Sequence, residues 1–145
     1  MQKLALDVGK VRIGVAISQG SLALPHAVIE NGSNALTQIQ DLVAELNPKV
    51  IYVGLPLSLS GSFTPSTHYA VDFARGLSVL VDCEIRFIDE RLTSKSASGA
   101  LRSAGKNSKE QKSIIDASAA AVILDFALSS ERDGYAGKRM DELDA

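Results

Sequence analysis

The chain has 145 residues, 46% apolar and 22% charged, which suits one globular domain and excludes both a disordered polymer and a tandem of modules. Its net charge of −2 offers no global attraction for a polyanion, so any nucleic-acid contact has to be local. A single cysteine, Cys83, rules out an internal disulfide and fits a reducing cytoplasm, and no uncharged apolar run reaches membrane-spanning length.

Three strand-like runs open the chain: Lys3 to Asp7, Val11 to Ser18 and Ala23 to Glu30, punctuated by Gly9, Gly20 and Pro25. Their short connections predict an antiparallel meander. Helical spacing then takes over, with Leu36, Ile39, Leu42, Val43 and Leu46 following a cap at Ser33 or Asn34 and Pro48 closing the segment. Val50 to Gly54 is a short apolar run of the kind shown by a central strand buried on both faces. Thr64 as N-cap and Pro65 at the first helical position predict a second helix with Ala70, Phe73, Ala74, Leu77 and Leu80 on its apolar face.

Glu84 to Asp89 reads as another strand, Thr93 to about Arg102 as a third helix, and Gly105 to Lys112 as a polar, basic, mobile loop. A last helix is expected from about Ser113 to Leu128, its Ile114, Ala117, Ala120, Ala121, Leu124 and Leu128 lying against the sheet. Residues 131–145 carry mixed charge and little apolar content, and are expected as a flexible tail behind a domain of residues 1–130. The sum is an α/β fold: a mixed five-stranded sheet, its first three strands antiparallel, with helices on both faces.

Few residues can carry chemistry. His26 and His68 stand far apart with no ligand-spaced neighbours, and there is no Gly-x-Ser-x-Gly elbow for a serine nucleophile. The carboxylates are more informative. Asp7 ends an apolar strand, where it is either a turn former ahead of Gly9 or a functional group at the sheet rim. Asp89 and Glu90 repeat the arrangement after the strand EIRFID, with a salt bridge to Arg91 as the plain alternative. Asp116 lies early in the last helix, where stabilisation of the helix dipole would also account for it. A mixed sheet can bring these points to one rim, and clustered carboxylates call for a hard cation, Mg²⁺ or Mn²⁺ rather than zinc. Metal ions so held can activate water against a phosphodiester.

Four segments in this order, LALDVGKVRIGVAIS, VGLPLSLSG, FIDERLTS and IIDASAAAVIL, resemble the YqgF family from Leu4 to about Leu128. The resemblance implies an RNase H-like nuclease fold, related to Holliday junction resolvases of the RuvC kind. It also implies a hydrolase of phosphodiester bonds that matures the 5′ end of pre-16S rRNA. Carried over by position, the family's acidic residues fall on Asp7, Glu90 and Asp116 as catalytic metal ligands for Mg²⁺ or Mn²⁺, with Asp89 in reserve. Arg12 falls on the family's RIG motif and, with Lys10 and Arg91, is a candidate for substrate binding, a fixed bridge to a neighbouring acid being the equal alternative for Arg12; Lys106, Lys109 and Lys112 could screen further phosphates, though solvated loop lysines are the plainer reading.

Two departures are Ser94, where the family has Thr, and Lys10-Val11, where it often has Thr-Lys. The second helical acid of resolvases is also missing, alanines standing in its region. The implied partner is nucleic acid, either pre-16S rRNA or branched DNA, for a monomer or homodimer with no membrane attachment. A Holliday junction-resolving DNA nuclease and a weakly catalytic ribosome-assembly factor are the rival readings. An actin-like phosphotransferase, which shares the D-x-G first strand, lacks room for its second subdomain.

Overall fold

The structure, a computed structural model, describes residues 2–93, 108–134 and 137–143, and within 108–117 the backbone alone. Its sheet has five strands in the order β3-β2-β1-β4-β5. Strands β1 (Leu4–Val8), β2 (Arg12–Gln19) and β3 (Leu22–Glu30) form the expected antiparallel meander. Strands β4 (Val50–Leu55) and β5 (Glu84–Asp89) then add parallel to β1. The sheet is therefore mixed, and every residue of β4, its second strand from the β5 edge, is buried.

Local chemistry explains the helices. Helix α1 (Ala35–Leu46) ends where Asn47 turns left-handed at φ 48°, and its N–H bonds back to Val43. Helix α2 (Pro65–Leu80) starts at a reciprocal capping box between Thr64 and Thr67, with Pro65 contributing its preset φ. Thr67 is fully buried and its hydroxyl donates to the Pro56 carbonyl, tying the helix start to the loop that leaves β4. The last helix, α3, runs Ser108–Arg132, longer at both ends than the expected Ser113 to Leu128. Its first turns are Lys, Glu and Gln, good helix formers whose charge suggests a loop only when propensity is ignored. The helix expected over 93–102 and Lys106 lie outside the described residues, apart from Thr93.

Alternation along the strands divides the interior in two. On one face Leu4, Leu6, Val53 and Phe87 pack with Ile39 of α1 and with Ala70 and Leu77 of α2. On the other, Ala5, Ala16, Tyr52 and Ile88 meet Ala120, Ile123, Leu124, Ala127 and Leu128 of α3. That helical set falls at i, i+3, i+4, i+7 and i+8, a single stripe, and its alanines let α3 approach the alanines of β1 and β2 closely. The far end of α3 is pinned by a cluster: the Tyr52 hydroxyl donates to Glu131, which also accepts from the Lys3 ammonium at 2.5 Å. Residues 137–143 run beside β5, where Lys138 and Phe87 exchange backbone hydrogen bonds of 2.7 and 2.9 Å and Leu143 packs onto the core. None of the described helices is long and apolar enough to cross a membrane.

Candidate active site

The register places Asp7 opposite Gly14 of β2, and continuing the β1–β4 pairing sets it beside Gly54, which in turn pairs with Ile88. These four residues make one row across the sheet on the α3 side. Arg12 and Glu90 lie two residues from Gly14 and Ile88, so both stand on the same face at the rim. Glycine at position 54 is what lets the carboxylates meet. A Cβ there would stand 2.8 Å from Glu90 Oε2 and 2.6 Å from the Ile123 Cδ1 methyl. The sequence places Gly54 only at the end of the apolar strand begun at Val50; glycine interrupting a run of buried strand residues is the signal for close approach.

Electrostatics confirm the proximity. The Glu90 carboxyl is pushed up to about 8, first by burial and then by the negative charges of Asp7 and Asp89. A pair of acids held this close against an apolar layer disfavours its own ionisation, and a bound cation would relieve that. The donor set, hard carboxylate oxygens brought to one rim, suits a divalent ion such as Mg²⁺ or Mn²⁺. Asp116 lies on α3, the helix packed over this row, and its side chain is outside the described residues. Among the described residues, no group of three or more His, Cys, Asp or Glu side chains forms a metal cluster, so Asp7 and Glu90 are the pair that part contributes.

Asp89 has a different fate. Burial raises its pKa, but hydrogen bonds from the Arg91 side chain and backbone outweigh that and hold it below the usual carboxylate range. The Arg91 guanidinium grips it from Nε and Nη2 at 2.6 to 3.1 Å. Consecutive residues at a strand end face opposite ways, so Glu90 turns to Asp7 while Asp89 and Arg91 turn to the α1–α2 side. The salt bridge held open as the plain alternative is thus realised by Asp89.

Arg12 Nη1 is buried with no hydrogen-bond acceptor among the described residues. A buried donor left unsatisfied costs about 1 to 3 kcal/mol, more when charged, and is rare unless something else supplies the acceptor. The β1–β2 turn beneath it is rigid: Gly9 N–H donates to the Arg12 carbonyl at 2.8 Å, and the Asn31 amide donates to the Gly9 carbonyl at 2.7 Å. Lys10 rides exposed on this turn. His26 is exposed on β3, and His68 sits edge-on to Phe63 with ring centroids 5.4 Å apart, away from the α3 face.

Residues 1–130 match a family model described as RuvX, Holliday junction resolvase. A relative from Leifsonia xyli named "Putative pre-16S rRNA nuclease" is 46% identical over 134 residues, covering 90% of this chain and 86% of that protein. One of the same name from Streptomyces coelicolor is 39% identical over 139 residues, covering 90% and 81%. In fold the chain is similar to Thermus thermophilus RuvC solved with a Holliday junction substrate, at a TM-score of 0.60 and 13% identity over 91% of this chain and 96% of that one.

Proposed function

The chain belongs to the RuvX family of Holliday junction resolvase-like nucleases, also called YqgF, and on that premise we propose that it hydrolyses phosphodiester bonds at the rim where Asp7 and Glu90 converge. The observation that carries the reading is the close approach of Glu90 to Gly54 and to Asp7, which gathers two carboxylates at one rim.

Asp7, Glu90 and, from α3, Asp116 would hold one or two Mg²⁺ or Mn²⁺ ions, which when bound supply the charge that activates water and stabilises the departing oxygen. The chain's own groups do the rest. Arg12, on the same face of the rim, donates from its guanidinium to a non-bridging phosphate oxygen and fixes the phosphorus beside the carboxylates. Lys10 on the turn meets a neighbouring backbone phosphate. Arg91 is a weaker phosphate ligand than its charge suggests, because Asp89 already matches it. Attack by water in line with the leaving 3′ oxygen gives a 5′-phosphate and a 3′-hydroxyl.

The substrate supported by the relatives' names is pre-16S rRNA, and the reading places the cut at its 5′ end, in the cytoplasm. The family's description supports a four-way DNA junction instead, which would call for a twofold homodimer rather than a monomer. Both are offered to one preparation, as a pre-16S fragment and a synthetic junction, across Mg²⁺ and Mn²⁺ concentrations. Metal-dependent cleavage of either identifies the substrate. Asp7→Asn keeps shape and removes charge, so it should lower cleavage by a factor of about 100 or more while retaining binding. Undiminished cleavage by that variant refutes the site, and binding without turnover by the unsubstituted chain favours an assembly factor.

A further inference from the structure

A cavity of about 290 Å³ opens at the carboxyl ends of β4 and β5, on the opposite side of the sheet from the Asp7–Glu90 pair. We propose that it is a subsite for one unpaired nucleobase of the nucleic-acid substrate, stacked on the Arg91 guanidinium among Leu57, Phe63 and Leu92. The inference rests on the nuclease reading and deepens it.

Position comes first. Two residues lining the cavity, Leu55 and Asp89, adjoin the active row directly, since Leu55 follows Gly54 and Asp89 precedes Glu90. A strand passing the carboxylates with one nucleotide splayed out would meet this opening next. The volume is small for an extended ligand but suits one ring system, sites for small molecules starting at about 300 Å³.

The Arg91 plane is fixed. Nε and Nη2 are held by Asp89, Nη1 donates to the Leu59 carbonyl at 3.2 Å, and the backbone N–H of Arg91 bonds Asp89 Oδ1 at 2.9 Å. The turn that receives it is shaped for the purpose: Gly61 at φ +88° closes it, and a Cβ there would stand 3.3 Å from Arg91 Nη1. With its charge matched and its edge bonded to protein, the guanidinium offers a flat face, and unpaired bases stack on such faces and on aromatic rings. Leu55, Phe87 and Leu143 add apolar side chains to the lining, and Lys138, also in the lining, supplies a cation for the nucleotide's phosphate. Leu59 and Leu92, beside the opening, are 87% and 59% exposed, apolar surface that a base would cover.

The test has two arms. Single-stranded RNA and DNA oligonucleotides carrying 2-aminopurine at one position at a time are bound to Asp7→Asn protein, and unsubstituted protein is assayed on matched strands with one abasic position. One position beside the cleavage site should change fluorescence on binding. An abasic residue there should raise KM about 5- to 150-fold, with kcat nearly kept. Phe63→Ala and Arg91→Lys should each abolish the fluorescence change at that position alone. Oligonucleotides that bind with no position responding, or abasic strands cleaved as well as intact ones, overturn the proposal; so does an equal response to a free 2-aminopurine nucleotide. The abasic arm needs no variant to fold. Failure of the nuclease reading would look different, with no cleavage of any strand, and the fluorescence arm would then still decide the subsite.

Discussion

Adding one methyl group at Gly54 tests the active row most directly. In Gly54→Ala the new carbon would lie 2.6 Å from Ile123 Cδ1 and 3.0 Å from Glu90 Cδ, where carbon atoms pack at about 3.5 to 4 Å. Either α3 or the Glu90 carboxylate must move by roughly 1 Å. Gly54 is not among the positive-φ residues, so alanine suffers no backbone strain and reduces the freedom of the unfolded chain by about 0.4 to 1 kcal/mol. Overpacking of about 1 to 3 kcal/mol opposes that, leaving a net loss of up to about 2.6 kcal/mol. For a chain of this size the melting temperature should fall by up to roughly 8 °C. Cleavage should fall much further, about 100-fold, because a ligand displaced by 1 Å misplaces the reacting groups. Gly32→Ala, where a Cβ meets nothing within 4 Å, is the control for glycine loss itself. The assay is metal-dependent cleavage corrected for folded fraction, alongside thermal melting. A Gly54→Ala protein that melts lower yet cleaves within threefold of the parent would refute the reading that glycine at position 54 sets Glu90 for the reaction.

Three further outcomes follow from the same geometry. Glu90 binds its proton more tightly folded than unfolded, so metal-free protein should lose stability as pH rises from about 4.5 through about 8, and Glu90→Gln should flatten that slope. Melting in chelator across pH 5 to 8.5 checks it, and equal slopes for the two proteins would contradict the burial of this acid beside Asp7. Asp89 and Glu131, both held below their usual range, act at lower pH, their stabilisation fading as acid protonates them. Arg12→Lys preserves charge but loses the bidentate fork, so substrate KM should rise about tenfold and the salt dependence of binding should hardly change; an unaltered KM would make Arg12 purely structural. Tyr52→Phe removes the hydroxyl that Glu131 accepts, at the opposite end of α3 from Asp116. It should lower stability by about 1 to 3 kcal/mol in a denaturant titration, with cleavage of the folded protein kept.

Much of this was legible in the residues. The strands themselves, the meander, the Thr64–Pro65 helix start and the apolar face of α3 followed from periodicity and cap chemistry, which are local, whereas the order of the strands came only with the structure. Asp7 was visible as a carboxylate where an apolar strand ends. The choice between Asp89 and Glu90 was not, because it depends on which residue of a neighbouring pair faces α3, and that is set by pairing with β4. Gly54 was passed over for the same reason: its role exists only once Glu90 and Ile123 arrive from distant parts of the chain. The Tyr52–Glu131–Lys3 cluster joins three elements and leaves no spacing that a linear reading can detect.

The order of the strands also bears on how the molecule comes together. Strands β1, β2 and β3 pair through hairpin turns, and their contacts close small loops. The β1–β4 and β4–β5 pairings span long intervening stretches, and contacts of that separation form slowly because loop entropy is lost before they reward it. Asp7 is thus in place within the first-formed ribbon, and Glu90 reaches it only after the last strand docks. On the proposed reading of the site, a polypeptide emerging from synthesis would display Asp7 early and harmlessly, and would gain the power to cut only when its tertiary structure is complete.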